Sequence, residues 1–447
     1  MIKKVLIANR GEIAIRIIRA CREMGVRTVA VYSTGDTEAL HAQLADEAVC
    51  IGPASLKESY LNTYAILSAA EATGADAIHP GYGFLSENSK FARVCMKSGI
   101  KFIGPAPEAM ELMGDKITAR RLMKENGVPI IPGTTDPLET PEAAEETARE
   151  LGFPVMIKAS AGGGGRGIRK VTRPEDVRDA WMSARAEAEA AFGDGTLFME
   201  KCIENGRHLE VQILADEHGN AVHLFERECS LQRRNQKVME EAPSCCLDDE
   251  RRREMGEAAV RAARASGYTN AGTIEFLVDD SGYYFMELNA RVQVEHPVTE
   301  MATGIDIVKA QLLIASGEPL SIRQEDVRLL GHAIECRINA EDTDKNFMPS
   351  IGRITMLHVP GGPGVRFDSM LYNGYEIPPY FDSMVGKLIC MDRDREGAMA
   401  KMRSALTEMV IDGVETNIDF QLDLLTNKKV LRGELDTGLV ERIMEET

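Results

Sequence analysis

Four stretches of the sequence combine residue types that could do chemistry. In Lys158-Ala159-Ser160-Ala161-Gly162-Gly163-Gly164-Gly165-Arg166-Gly167, an apolar run ending in lysine enters a loop with almost no side chains. Backbone N–H groups of such a loop can close around phosphate oxygens, with the lysine adding charge. A flexible turn has the same composition. The stretch fits neither G-x-x-x-x-G-K-[ST] nor G-x-G-x-x-G in a first βαβ unit, which argues against a P-loop or dinucleotide enzyme.

The second stretch is a hairpin, Thr273-Ile274-Glu275-Phe276-Leu277 and Phe285-Met286-Glu287-Leu288-Asn289, with a turn near Asp280-Ser281-Gly282. A three-residue loop with Gly282 in the left-handed position puts Glu275 opposite Glu287, and Asn289 on the same face. Facing carboxylates repel unless a cation lies between them, and this oxygen set suits Mg²⁺ together with nucleotide phosphates. An exposed hairpin with solvated acids is the alternative. The apolar Ile274, Phe276, Met286 and Leu288 on the other face favour a packed platform.

Next comes Arg291-Val292-Gln293-Val294-Glu295-His296-Pro297. If the strand continues, Arg291, Gln293 and Glu295 share the metal side. An arginine can then orient a small oxyanion while the carboxylate takes its proton, or the two can form a structural ion pair. The fourth stretch, Glu226 to Lys237, places Arg227, Arg233, Arg234 and Lys237 close together in an acidic protein. It reads as a site for phosphate or bicarbonate, or as a solvated charged loop. His41, His218 and His332 lack metal-ligand spacing and read as structural.

The elements around these stretches point to a mixed α/β and α+β protein. Val5-Leu6-Ile7-Ala8, Val29 to Tyr32, Ala77-Ile78 and Lys101 to Gly104 read as strands with room for crossover helices, a doubly wound parallel sheet over residues 1–104. A linker containing a helical stretch from Glu108 to Asn126 covers 105–130. A small α+β lid with the glycine loop follows at 131–202, and a large hairpin-rich domain at 203–447. The 447 residues and 44% hydrophobic content suffice for two or three such units.

Lys and Arg total 52 against 70 Asp and Glu, a net charge of −18 that excludes a general nucleic-acid binder. The N-terminal apolar run is too short for a signal peptide and no stretch approaches a membrane span, so a cytoplasmic protein is expected. The nine cysteines include no C-x-x-C pair, which points to reduced thiols.

With the glycine loop, the acidic hairpin and the arginine-glutamate segment in this order, the chain resembles the ATP-grasp ligases, and within them biotin carboxylase. The likeness rests also on Ile7-Ala8-Asn9-Arg10-Gly11-Glu12-Ile13-Ala14, His79-Pro80-Gly81-Tyr82-Gly83-Phe84-Leu85-Ser86-Glu87-Asn88, Arg291 to Glu300, Glu335-Cys336-Arg337-Ile338-Asn339-Ala340-Glu341 and Tyr380-Phe381-Asp382-Ser383-Met384. It spans essentially the whole chain.

The resemblance implies ATP- and bicarbonate-dependent carboxylation of biotin through carboxyphosphate. In ATP binding it implies Lys116 and Lys158 on the phosphates, the Gly162 to Gly165 loop above them, Glu200, Lys201 and Ile203 around the adenine, His208 and Gln232 near the ribose, and Asn235 and Leu277 also in contact with the nucleotide. Glu275, Glu287 and Asn289 would hold Mg²⁺ or Mn²⁺. Lys237, Arg291, Gln293 and Val294 would hold bicarbonate, Glu295 would be the base, and Arg337 with Tyr82 would face biotin.

Two departures stand out: Ala161 where the family often has glycine, and Asn235 where it often has histidine. Without a Met-Lys-Met biotin-acceptor motif, the expectation is a homodimeric subunit served by a separate biotin carboxyl carrier protein and carboxyltransferase subunits, most simply in acetyl-CoA carboxylase. A pyruvate or other acyl-CoA carboxylase is the alternative, followed by another ATP-grasp ligase or a nucleotide-sensing subunit.

Overall fold

The computed structural model describes residues 1–161 and 167–446, so the Gly162 to Gly165 loop lies outside the described residues. Five parallel strands open the chain, in the spatial order Glu47–Cys50, Arg27–Tyr32, Lys4–Ile7, Ala77–His79, Lys101–Phe102. The buried runs Val5 to Ile7 and Val29 to Val31 form its centre, as their uninterrupted apolar character requires. The strand Glu47–Cys50 escapes a hydrophobicity reading because it is an edge strand with alternate residues exposed. Helices Thr63–Thr73 and Ser89–Lys97 start at Asn62 and Asn88, whose side chains accept from the first-turn N–H groups.

The single helical stretch expected after Pro105 is two helices, Pro107–Gly114 and Lys116–Glu125. Asp115 divides them, its carboxylate accepting from Thr118 N–H at 2.7 Å to cap the second. Met110, Met113, Met123 and Val128 join one core with Phe91 of the parallel unit and Phe276 and Phe285 of the acidic hairpin. This segment therefore fastens the hairpin to the first sheet.

A three-stranded antiparallel sheet follows, with Val155–Ala159 between Ile168–Val171 and Leu197–Lys201. Its apolar face packs on helices Pro141–Leu151 and Val177–Phe192 through Ala144, Ala148, Trp181, Ala184 and Ala188. Alanine at these positions lets helix and sheet approach closely, and the buried Trp181 Nε1 donates to Leu138 O at 3.1 Å.

The largest sheet has eight strands in the order Gly282–Asn289, Asn270–Asp279, Arg207–Ala215, Ala221–Arg233, Gln236–Ala242, His332–Asn339, Met384–Asp392, Val365–Ser369. Leu209, Val211, Ile213, Ile274 and Phe276 face the alanine-rich side of helix Asp249–Ala265. The alternate residues His208, Glu210, Gln212, Thr273 and Glu275 are polar yet buried, and they form the floor of the site.

His41, His218 and His332 serve local structure, with ring nitrogens at 3.2 Å from Val31 O, 2.9 Å from Gly317 O and 2.7 Å from Glu241. All nine cysteines are free thiols. Among the described residues, no helix is long and apolar enough to cross a membrane.

Candidate active site

Strand register assembles the site. Glu287, Glu275, Glu210 and Arg227 are direct partners across four neighbouring strands. Three stacked carboxylates are unfavourable without compensation. Arg227 ends the row, fully buried, and donates to Glu210 at 2.5 Å, Gln212 at 2.8 Å, Gln293 at 2.9 Å, Thr299 at 3.0 Å and Thr273 at 3.1 Å.

Glu275 does face Glu287, but by a different route from the one the loop length suggests. The turn has two residues, Asp280 and Ser281, with Asp279 paired to Gly282. A register shift between Glu275 and Phe276 adds back the missing residue. The same bulge puts Phe285, at 1% exposure, on the apolar face in place of the expected Met286.

The strand also stops at Asn289, so Arg291, Gln293 and Glu295 do not share a strand face. Glu87 accepts from Ala290 N–H at 2.9 Å, which diverts that donor from any ladder, and Glu295 immediately precedes helix His296–Thr303, whose start Pro297 favours. The irregular segment nevertheless brings Arg291, Gln293, Val294 and Glu295 into one cavity of ≈ 360 Å³ with His208, Gln232, Asn235, Lys237, Glu275, Glu287, Asn289 and Arg337.

At the centre, Lys237 Nζ lies 2.5 Å from Glu295 Oε1, 2.6 Å from Glu210 and 3.4 Å from Glu275, while Arg337 donates to Glu295 Oε2 at 3.0 Å and to Glu240 at 2.6 Å. Burial alone would raise the Glu295 carboxyl and lower the Lys237 ammonium. Each is driven the other way. Lys237, Arg337 and Arg227 hold Glu295 well below the usual carboxylate range, and the carboxylates of Glu210, Glu295 and Glu275 hold Lys237 well above its usual value. The Glu295 carboxyl is thus ionised at neutral pH, held between two cations.

Beside this centre, Gln293 Nε2 donates to Glu275 at 2.9 Å, and Arg291 donates to Glu87 at 3.0 Å and Asn289 at 2.9 Å. His208 lies between Gln232, which donates to Nδ1 at 2.8 Å, and Glu275, 3.1 Å from Nε2. Burial works against charge on His208, but Glu275 outweighs it and raises the imidazole pKa.

Glu275 and Glu287 offer opposed carboxylates, and Glu287 has its side chain 43% exposed with Lys116 Nζ at 3.5 Å. Together with the Asn289 amide oxygen this set fits a hard divalent cation. His208, Glu210 and Glu275 also present ligand atoms within 4.8 Å of one another. Glu210, however, is already shared between Arg227 and Lys237, which makes that group a poorer metal site.

The other expected residues lie apart from this cavity. Lys158 is paired with Glu200, which Arg120 also holds at 2.9 Å. Lys201 and Ile203 line a second cavity of ≈ 350 Å³ with Pro132, Pro154 and Tyr284. Leu277 adjoins it: a Cβ on Gly206 would sit 2.9 Å from Leu277 and 3.1 Å from Ile203. The Tyr82 hydroxyl is bonded to Glu12, a buried carboxylate that Lys387 also reaches at 3.1 Å, and Tyr82 does not line the ≈ 360 Å³ cavity.

The cation cluster expected at 226–237 does not form one patch. Arg227 is internal, Arg233 lies over Phe347 at 3.8 Å, and Arg234 donates to Asn346 at 3.2 Å; of the four, Lys237 alone lines the ≈ 360 Å³ cavity. The cause is the tight hairpin turn at Arg234-Asn235, with φ +49° and +61°, which fans the side chains apart. Asparagine tolerates that left-handed backbone well, a local reason for its presence at 235.

Glu210, Glu240, Glu335 and Lys387 were not singled out by the sequence reading. The available signal was polar residues at every second position of otherwise apolar strands, as in His208-Leu209-Glu210-Val211-Gln212. The separate motifs also meet in space. Asn9 donates to Pro80 O and Tyr82 O at 2.7 Å, Arg10 lies 3.8 Å over the Phe381 ring, and Glu87 holds Arg291. Gly81, at φ +62°, has no room for a side chain, since a Cβ would stand 2.8 Å from Asn9 Nδ2.

Three family models match this chain: "Biotin carboxylase, N-terminal domain" over residues 1–110, "Carbamoyl-phosphate synthase L chain, ATP binding domain" over 115–323, and "Biotin carboxylase C-terminal domain" over 335–442. Fold and match together define an ATP-dependent ligase of the ATP-grasp class. Biotin carboxylase 1 of Bacillus subtilis is 56% identical over 443 residues, 99% of this chain and 98% of its own. A structure of biotin carboxylase from Campylobacter jejuni in a βγ-ATP complex superposes with a TM-score of 0.96 at 50% identity, covering 99% of each chain. The biotin carboxylase domain dimer of Hydrogenobacter thermophilus 2-oxoglutarate carboxylase, with MgADP, ADP and bicarbonate, gives 0.94 at 50% identity and covers 100% of this chain and 98% of that one. The chain belongs to the biotin carboxylase family.

Proposed function

We propose that this protein uses ATP to activate bicarbonate as carboxyphosphate and passes the carboxyl group to biotin on a separate carrier protein. The observation that carries the reading is Glu295 clamped between Lys237 and Arg337, beside Arg291, Gln293 and Val294 in one cavity.

In this reading Lys237, Arg291, Gln293 and the Val294 backbone hold bicarbonate, and Glu295 takes its proton. A bicarbonate oxygen then attacks the terminal phosphorus of ATP as ADP leaves. Lys116 and Lys158 bind phosphates, joined by the Gly162 to Gly165 loop. Lys201, Ile203 and Leu277 line the base pocket, with Glu200 anchoring Lys158, and His208, Gln232 and Asn235 border the sugar side. Arg337 stabilises negative charge on carboxyphosphate and then, as phosphate leaves and takes the ureido N–H proton, on the biotin ureido oxygen, a task for a planar guanidinium, with Tyr82 at the biotin side.

Glu275, Glu287 and Asn289 would hold Mg²⁺ or Mn²⁺, which when bound neutralises charge developing on the ATP phosphates. Glu287→Gln is expected to raise the Mg²⁺ needed for half-maximal rate by roughly 10-fold or more. A metal titration superimposable on the unmodified protein would remove Glu287 from the ligand set.

The proposed setting is the cytoplasm and the assembly a homodimer, consistent with the dimer of the Hydrogenobacter relative. It would work with a biotin carboxyl carrier protein and carboxyltransferase subunits of acetyl-CoA carboxylase. The 2-oxoglutarate carboxylase relative favours a second reading, in which the same subunit serves an oxo-acid carboxylase. Charging a biotinylated carrier domain with this enzyme, then offering carboxyltransferases for acetyl-CoA, pyruvate and 2-oxoglutarate from the same source, separates the two. Malonyl-CoA as the product supports the first; carboxylated oxo acid alone overturns it.

A further inference from the structure

Glu335 is a buried acid that the reaction as described leaves without a task. It has no solvent exposure, and neither carboxyl oxygen has a hydrogen-bond donor among the described residues. Strand pairing sets it directly opposite Glu240, itself 1% exposed, and two residues before Arg337 on the same face.

The two acids differ in their support. Glu240 Oε1 is held by Arg337 at 2.6 Å, while its Oε2 is buried without a donor. The other cation facing Glu335, Lys387, is committed to Glu12 at 3.1 Å and to Val294 O at 2.8 Å. Glu295 and Tyr82 also lie near it and supply no positive charge. Opposed carboxylates in such a place cannot both ionise.

We propose that Glu335 is a neutral, protonated carboxylic acid in the working enzyme and acts as a positioning residue for Arg337. While it stays neutral, Arg337 balances two anions, Glu240 and Glu295, and keeps its place between them. Ionisation would add a third anion and draw the guanidinium away from Glu295 and the substrate. The titration pattern agrees: burial, reinforced by Glu240 and Glu295 against Lys387 and Arg337, pushes Glu335 well above the carboxylate range, and burial brings even the arginine-held Glu240 up to about 7. The pair therefore retains a proton through neutral pH, on the member without an arginine.

The inference rests on the roles given above to Arg337 and Glu295, so the test has an arm that uses no activity. An acid whose pKa is raised by folding costs stability as pH climbs above its unfolded value. Glu335→Gln, which mimics the neutral form, is expected to melt higher than the unmodified protein at about pH 8, with the gap closing towards about pH 4. Its kcat/KM for bicarbonate-dependent ATP cleavage should stay within about threefold at neutral pH, and its alkaline limb should move upward. Melting below the unmodified protein at every pH, or an unshifted alkaline limb in an active variant, would overturn the proposal. If Glu335→Gln does not fold, infrared spectra of the unmodified protein decide. A protonated-carboxyl C=O band persisting through neutral pH is expected, and its absence contradicts the assignment. An inactive but correctly titrating unmodified protein would fault the proposed reaction alone.

Discussion

Glu295→Gln should lower kcat for bicarbonate-dependent ATP cleavage by about 10²–10⁴-fold, the contribution of a positioned general base, and leave MgATP affinity within about threefold. Gln keeps the shape but offers one acceptor oxygen, to Lys237 or to Arg337, turns its NH₂ towards the other, and takes no proton from bicarbonate. Lys116 and Lys158, the lysines proposed to bind the phosphates, pair with Glu287 and Glu200 and not with Glu295. Because folding depresses the Glu295 pKa, its charge stabilises the fold above the unfolded pKa, and that contribution is lost as pH falls through the depressed value. The variant should therefore also melt lower at neutral pH, with the difference shrinking on acidification. Equal loss of ATP binding, measured by calorimetry, would mark Glu295 as a structural ion-pair partner.

The largest effect on folding is expected at Arg227. Replacement by Met leaves Glu210 buried with Lys237 as its remaining cationic partner and strands acceptors on Gln212, Thr273, Gln293 and Thr299. Removing one partner of a buried pair costs about 3–5 kcal/mol, and Arg227→Lys should fall between, keeping charge but losing the planar fork. Urea unfolding checks this; a loss below about 1 kcal/mol for the Met variant would show that the carboxylate row needs no internal counter-ion. Activity should fall with stability, because Arg227 positions Gln293, and Gln293 in turn holds Glu275.

Much of this was legible in the sequence because it depends on local pattern. The apolar runs of the parallel sheet and the polar-apolar alternation of the acidic hairpin determine which residues face the site. What escaped depends on partners distant in the chain. Locally, the Glu275–Glu287 pairing was legible, but the shorter turn and the compensating bulge that produce it were not. Arg291 is oriented by Glu87, 204 residues away, and Arg227 by Gln293, 66 away, so neither could be placed by spacing within its own motif. The cation run from 227 to 237 misled because a left-handed turn disperses side chains that are neighbours in sequence. Glu240 and Glu335 look like ordinary strand acids until pairing sets them face to face in the interior.

Phosphate release from MgATP, with bicarbonate present or withheld and each with and without a high concentration of free biotin, decides whether this chain carboxylates biotin. Release should require bicarbonate and rise with biotin. Release that ignores both, or that responds instead to another carboxylate or amine, would contradict biotin carboxylation.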